Sequence, residues 1–116
     1  MEQEADPVKS LTRKHSDTIK KDLQSSPSFR RALFAEAINS MLEGEFEAGR
    51  AVLREYIQGT VGFVALGKAI GKSPRSVRRM LSHDGTLRTR SFIAILAYLQ
   101  KVEGTVLEVR AVKAAA

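Results

Sequence analysis

The sequence predicts an all-α fold: a small domain of about five to six helices containing a helix-turn-helix, with a short strand at its C-terminal end. Three observations carry that expectation. Apolar residues recur at three- and four-residue intervals over most of the 116 residues, the spacing of one helix face. Ser-Pro pairs at 26–27 and 73–74, and glycines at 44, 59, 71 and 104, fall where such stretches start and stop. Finally, the run "LGKAIGKSPRSVRRMLS", residues 66–82, sets a glycine and a Ser-Pro pair between two apolar stretches and loads only the second with arginine.

Taken in order, residues 1–10 carry Pro7 and mixed charge and predict a mobile arm. Residues 11–58 form the leading helices. Leu11 to Gln24 is a polar stretch with Ile19 and Leu23 four apart, a weak helix with a narrow apolar stripe. Ser26-Pro27 opens the next, where Phe29, Leu33, Phe34, Ala37, Ile38, Met41 and Leu42 recur at helical spacing until Gly44. Phe46, Gly49, Val52, Leu53, Tyr56 and Ile57 mark a further helix ended by Gly59, close enough to its predecessor to be an antiparallel neighbour.

Residues 59–104 hold the helix-turn-helix core. Thr60 is placed to cap a short helix through Ile70 with Phe63, Leu66 and Ile70 inward, and Gly71 stops it. Ser73-Pro74 starts another, to about Ser82, with Val77, Met80 and Leu81 inward. After the polar turn SHDGTL, Thr89 is placed to cap an amphipathic helix striped by Phe92, Ile95, Leu96, Leu99 and Val102 and ended by Gly104. Residues 105–112 alternate loosely and are rich in valine, which suits a short strand. A lone strand needs a second copy or the helices to lie on. Residues 113–116 are a tail.

Composition bounds what such a domain can do. A hydrophobic content of 43% is enough for one modest core. No run approaches the roughly 18 apolar residues of a membrane helix. The opening MEQEADPVKS is acidic without an apolar stretch, unlike a signal peptide, and cysteine is absent, so a cytoplasmic location is expected. The net charge of +6 is concentrated: residues 60–90 hold seven Lys/Arg against the single acid Asp84, while residues 1–59 hold nine against ten. Localised positive charge suits a polyanionic partner, because each neutralised phosphate releases condensed counterions.

Glycine placement explains the turn. Two short helices crossing steeply need a small residue where they touch, Gly67, and a residue tolerant of positive φ at the bend, Gly71. Leu66, Ile70, Val77 and Met80 supply the apolar anchors at the required intervals. Lys72 stands where an apolar residue more usually follows the turn glycine. The second helix then presents Arg75, Ser76, Arg78 and Arg79 outward. Arginine can pair both major-groove acceptors of guanine, which assigns Arg75 and Arg79 to base edges. Arg78, Lys68 and Ser73, the last at a helix N-terminus, are assigned to phosphates. Arg88 and Arg90 flank the next helix start within reach of the adjacent backbone, and Lys72 and Pro74 complete the candidate contact set.

Enzymatic chemistry finds no support in the residues. His15 and His83 lack a second ligand or nucleophile at useful spacing, and Glu43, Glu45 and Glu47 suit favourable charges at a helix start. No P-loop, metal-ligand spacing or triad is present. The expectation is a protein that is not an enzyme and takes no cofactor or metal.

From "GFVALGKAIGKSPRSVRRMLSHDGTLRTRSFIAILAYLQKVEGTVLEV" the chain resembles the HigA-like addiction-module antidotes, small antitoxins with a Cro/repressor-type helix-turn-helix. Their pattern includes a turn glycine, a serine-led recognition helix, a leucine-serine pair (here Leu81-Ser82), a long amphipathic helix and a terminal leucine-x-valine (here Leu107 and Val109). The turn departs from it, with Thr86 and Leu87 after Gly85 in place of asparagine and proline. "SPSFRRALFAEAINSMLEGEFEAGRAVLREYI" looks like the two leading helices of longer members, so the resemblance spans about residues 26–109. It implies a homodimer on an inverted-repeat operator in double-stranded DNA, repression of its own operon, and neutralisation of a RelE/HigB-like toxin. Two other readings stand beside it. One is a stand-alone repressor without a toxin; the other is a helical protein-interaction module whose arginines meet an acidic partner.

Overall fold

A computed structural model describes residues 18–115. The arm expected at 1–10, and the start of the first helix at 11–17, lie outside the described residues. The described residues form six helices and no strand: α1 over 18–25, α2 Pro27–Leu42, α3 Phe46–Gly59, α4 Gly62–Ile70, α5 Pro74–Met80 and α6 Thr89–Glu103. No helix among them is long and apolar enough to cross a membrane.

Local chemistry accounts for most of the boundaries. Ser26 caps α2 by accepting from the Phe29 N–H at 3.2 Å, with Pro27 in the first turn. The chain then folds back through Glu43, Gly44 and Glu45, and α2 and α3 form the most extensive helix pair. Gly49 permits their approach, since a Cβ there would lie 2.6 Å from the Ala37 carbonyl oxygen. One core joins the helices: Leu23, Phe34, Ala37, Leu53, Tyr56, Ile57, Phe63, Leu66, Val77, Leu81, Ile95 and Leu99 are all buried. Phe34 and Tyr56 stack at its centre, ring centroids 4.9 Å apart.

A polar tie closes one end of this core. Glu103, at the end of α6, accepts from Tyr56 Oη at 2.8 Å and from Arg30 Nε at 3.1 Å, while Arg30 also donates to the Leu23 carbonyl at 3.0 Å. Burial first, then the bond to Glu103, raises the Tyr56 pKa above its ordinary value and keeps the hydroxyl protonated as a donor.

Several expectations are corrected. Thr60 does not cap α4: its hydroxyl donates to the Tyr56 carbonyl at 2.7 Å, closing α3, and α4 starts at Gly62. Thr89 is the first residue of α6 and not its cap, a place taken by Arg88 without a side-chain bond. The helix begun by Pro74, α5, ends at Met80, two residues before Ser82, and Val102 is half exposed instead of lying within the α6 stripe. The strand expected at 105–112 does not form, and residues 105–115 have no regular structure. A strand exists only with a ladder partner, and this segment has none among the described residues.

Candidate nucleic-acid interface

The site grows from the bend between α4 and α5. Gly71 adopts φ 73°, ψ 33°, the left-handed conformation that ends helices at little cost only for glycine. The Lys72 N–H then donates to the Gly67 carbonyl at 2.8 Å, closing the turn. Gly67 is buried against that turn: a Cβ would sit 2.5 Å from the Lys72 carbonyl oxygen, a collision with backbone. Ser73 accepts from the Ser76 N–H at 3.1 Å, and Pro74 begins α5. Leu66 and Val77 are fully buried across the crossing, while Ile70 and Met80 are half-buried and packed against the same core. Of the six residues singled out for helix-turn-helix packing, Leu66, Gly67 and Val77 are buried, Ile70 and Met80 are half-buried, and Gly71 lies exposed at the bend.

The cations lie on the outside of this unit. Arg75, Ser76, Arg78 and Arg79 on α5 are exposed, as are Lys68, Lys72, Ser73, Arg88 and Arg90; Pro74 is half-buried. Among the described residues, Arg75 and Arg79 make no ion pair, so their guanidinium donors are available to a ligand. Two members differ from the rest. Ser73 spends its hydroxyl on the cap and on a 3.0 Å bond to Ser76 Oγ. The Arg78 guanidinium lies over the Phe63 ring, 4.6 Å from its centroid, which fixes the charge beside α4.

Arg88 and Arg90 are brought close to the α4–α5 unit. A cleft of about 370 Å³ is lined by Lys72, Ser76 and Arg79 on one side and Thr86, Arg88 and Ser91 on the other. An adjoining cleft of about 530 Å³ shares Lys72, Arg88 and Ser91 and adds Arg90. The turn, α5 and the start of α6 thus contribute four cations to one concave surface, opposed among the described residues by the single acid Asp84. Lys68 stands apart on α4. Among the described residues, no group of His, Cys, Asp or Glu is placed to hold a metal ion.

Sequence reasoning missed the pair that holds this surface in place. Arg50, only 2% exposed, donates to the Gly85 carbonyl at 2.7 Å, and to the His83 carbonyl and Glu47 Oε1 at 2.5 Å each. One turn on, Arg54 donates to the Leu81 carbonyl at 2.7 Å. Two arginines of α3 thereby take three alternate carbonyls, 81, 83 and 85, in the segment that leaves α5. A signal was present, because position 50 falls at helical spacing among Phe46, Leu53 and Ile57, and a charge on a buried stripe requires partners.

An exposed guanidinium row on a short helix, set at the Gly71 bend and flanked by a concave cationic surface, offers planar donors and positive charge to an anionic ligand. No family model, curated protein or solved structure matches the chain.

Proposed function

We propose that the chain is a sequence-specific DNA-binding protein whose recognition element is α5. The observation that carries this reading is the bend at Gly71, which seats Val77 in the core and leaves Arg75 and Arg79 exposed and, among the described residues, without ion-pair partners. Concentration of the net positive charge in residues 60–90 supports it. Arg75 and Arg79 read base edges; Arg78, Lys68, Lys72, Arg88 and Arg90 hold phosphates. Ser73 serves as the helix cap.

The resemblance to HigA-like antidotes extends the proposal. The protein acts in the cytoplasm as a homodimer with two recognition helices about 34 Å apart, one turn of an inverted repeat. It represses its own operon and neutralises a RelE/HigB-like toxin. The leading helices, which carry most of the acids, offer the surface for a basic partner.

The test uses duplexes enriched from a randomised library by the full chain. Fluorescence anisotropy should show log affinity falling linearly with log salt. Lys68→Ala should weaken enriched and scrambled duplexes alike and lower the salt slope by about one. Failure to enrich any duplex, or binding indifferent to salt, would overturn the DNA reading. The toxin reading is tested separately, by co-purification with the product of a neighbouring small basic reading frame.

A further inference from the structure

The cleft of about 370 Å³ between α5 and the start of α6 carries one group of the wrong sign for a phosphate. Asp84 lines it together with Lys72, Arg79 and Arg88. The residue is exposed and, among the described residues, makes no ion pair, although these cations share its cleft. A surface that only grips the DNA backbone gains nothing from a carboxylate, because phosphate and carboxylate oxygens are both anionic acceptors.

Asp84 is nonetheless held on every side. The buried Arg50 guanidinium takes the carbonyls that flank it, His83 at 2.5 Å and Gly85 at 2.7 Å. Gly85 presses on the end of α5, where a Cβ would collide with the Arg79 carbonyl oxygen. The Ser82 hydroxyl, shared with that carbonyl at 2.7 Å, donates to Asp84 Oδ1 at 3.2 Å. Backbone and side chain are thus both fixed relative to Arg79. Asp84 Oδ2 has no donor among the described residues.

A fixed acceptor beside a guanidinium can do what the cations cannot, which is to accept from a base. In the major groove the donors are the amino groups of adenine and cytosine. The adenine amino group stands next to N7, an acceptor that repels a carboxylate, whereas cytosine N4 has no acceptor beside it on the same base.

We infer that Asp84 is a specificity-determining residue that accepts from the N4 amino group of a cytosine while Arg79 meets its own base edge. The same carboxylate penalises guanine O6 and thymine O4, which are acceptors. The cleft therefore attracts the backbone through its cations and rejects the wrong sequence through its one acid. Because Asp84 acts here on the duplex proposed above, its role rests on that reading, and the test separates the two.

The probe is the duplex enriched from a randomised library by the wild-type full chain, compared with a scrambled duplex by fluorescence anisotropy. Asp84→Ala should bind the enriched duplex about tenfold more weakly and the scrambled one no more weakly than wild type. Enrichment repeated with this variant should lose a cytosine preference at one position. Asp84→Asn, which adds a donor, should admit adenine there. A carboxylate that merely repels phosphates predicts the opposite sign for Asp84→Ala: tighter binding of both duplexes and a steeper salt slope. A merely structural one predicts equal weakening on both, with a lower melting temperature by far-UV circular dichroism. Either result, or base preferences that match wild type, would overturn the inference while leaving DNA binding intact. Failure of the wild-type chain to enrich any duplex would remove both.

Discussion

Arg50 and Arg54 stand on α3, Arg75 and Arg79 on α5, each pair about one turn apart within the same small domain. On α3 the guanidinium groups face inward and donate to the carbonyls of Leu81, His83 and Gly85. On α5 they face solvent and make no ion pair among the described residues. The first pair lies where the partial negative charge at the end of α5 favours a cation. The second pair keeps its planar donor fork for a ligand. The difference teaches a division of labour: one set of arginines ties down the segment that leaves α5, and the other, on the proposed function, meets the ligand. Changes in the two sets should therefore register on different instruments.

The largest effect is expected on the held side. Arg50→Ala removes a buried side chain and leaves the part-buried Gly85 and His83 carbonyls without their donor, and should cost about 3 kcal/mol of unfolding free energy in urea titration. A melt within about 0.5 kcal/mol of wild type would break the comparison at its base. On the open side, Arg75→Ala and Arg79→Ala should each lose about 1–3 kcal/mol of binding on an enriched duplex and relax base preference. Their stability should stay within about 0.5 kcal/mol of wild type, because neither side chain is bonded among the described residues. Base preference untouched by both substitutions would remove them from the recognition role.

The two regions also differ in how much of them the sequence discloses. The α5 side was legible because its signals are local: Gly67, Gly71, Ser73-Pro74 and the apolar positions 66, 70, 77 and 80 dictate a bend and a buried face within a few residues. The α3 clamp joins positions separated by 27 to 35 residues, and no periodicity specifies which carbonyls an arginine will meet. Helix starts were misplaced for a related reason. Thr60 can serve the preceding helix or the following one with the same hydroxyl, and the choice falls to the end of α3. The valine-rich stretch 105–112 suits a strand by composition, but among the described residues its backbone finds no ladder partner and no strand forms.

A smaller effect should sharpen the held side. Arg54 is half-buried and makes one bond of the clamp, to the Leu81 carbonyl. Arg54→Ala should cost about 1 kcal/mol of stability by the same titration. A loss equal to that of Arg50→Ala would mean that the two arginines act as one unit, which the double variant would show as non-additivity.

Arg78 lies between the two classes and should produce the smallest change on either instrument. Its guanidinium is exposed, yet it is held over Phe63 at 4.6 Å. An exposed cation–π contact contributes about 0.5–1 kcal/mol, so Arg78→Ala should lower stability by about that much. The same substitution should reduce the salt slope of duplex binding by about one, the mark of a lost phosphate contact, without altering base preference. Arg78→Lys preserves the charge but not the planar stacking, and should recover the salt slope more fully than the stability. If both recover together, the contact with Phe63 contributes only charge, and Arg78 belongs with the free cations. If neither recovers, Arg78 belongs with the clamp, and the boundary between aiming and reading runs through α5 itself.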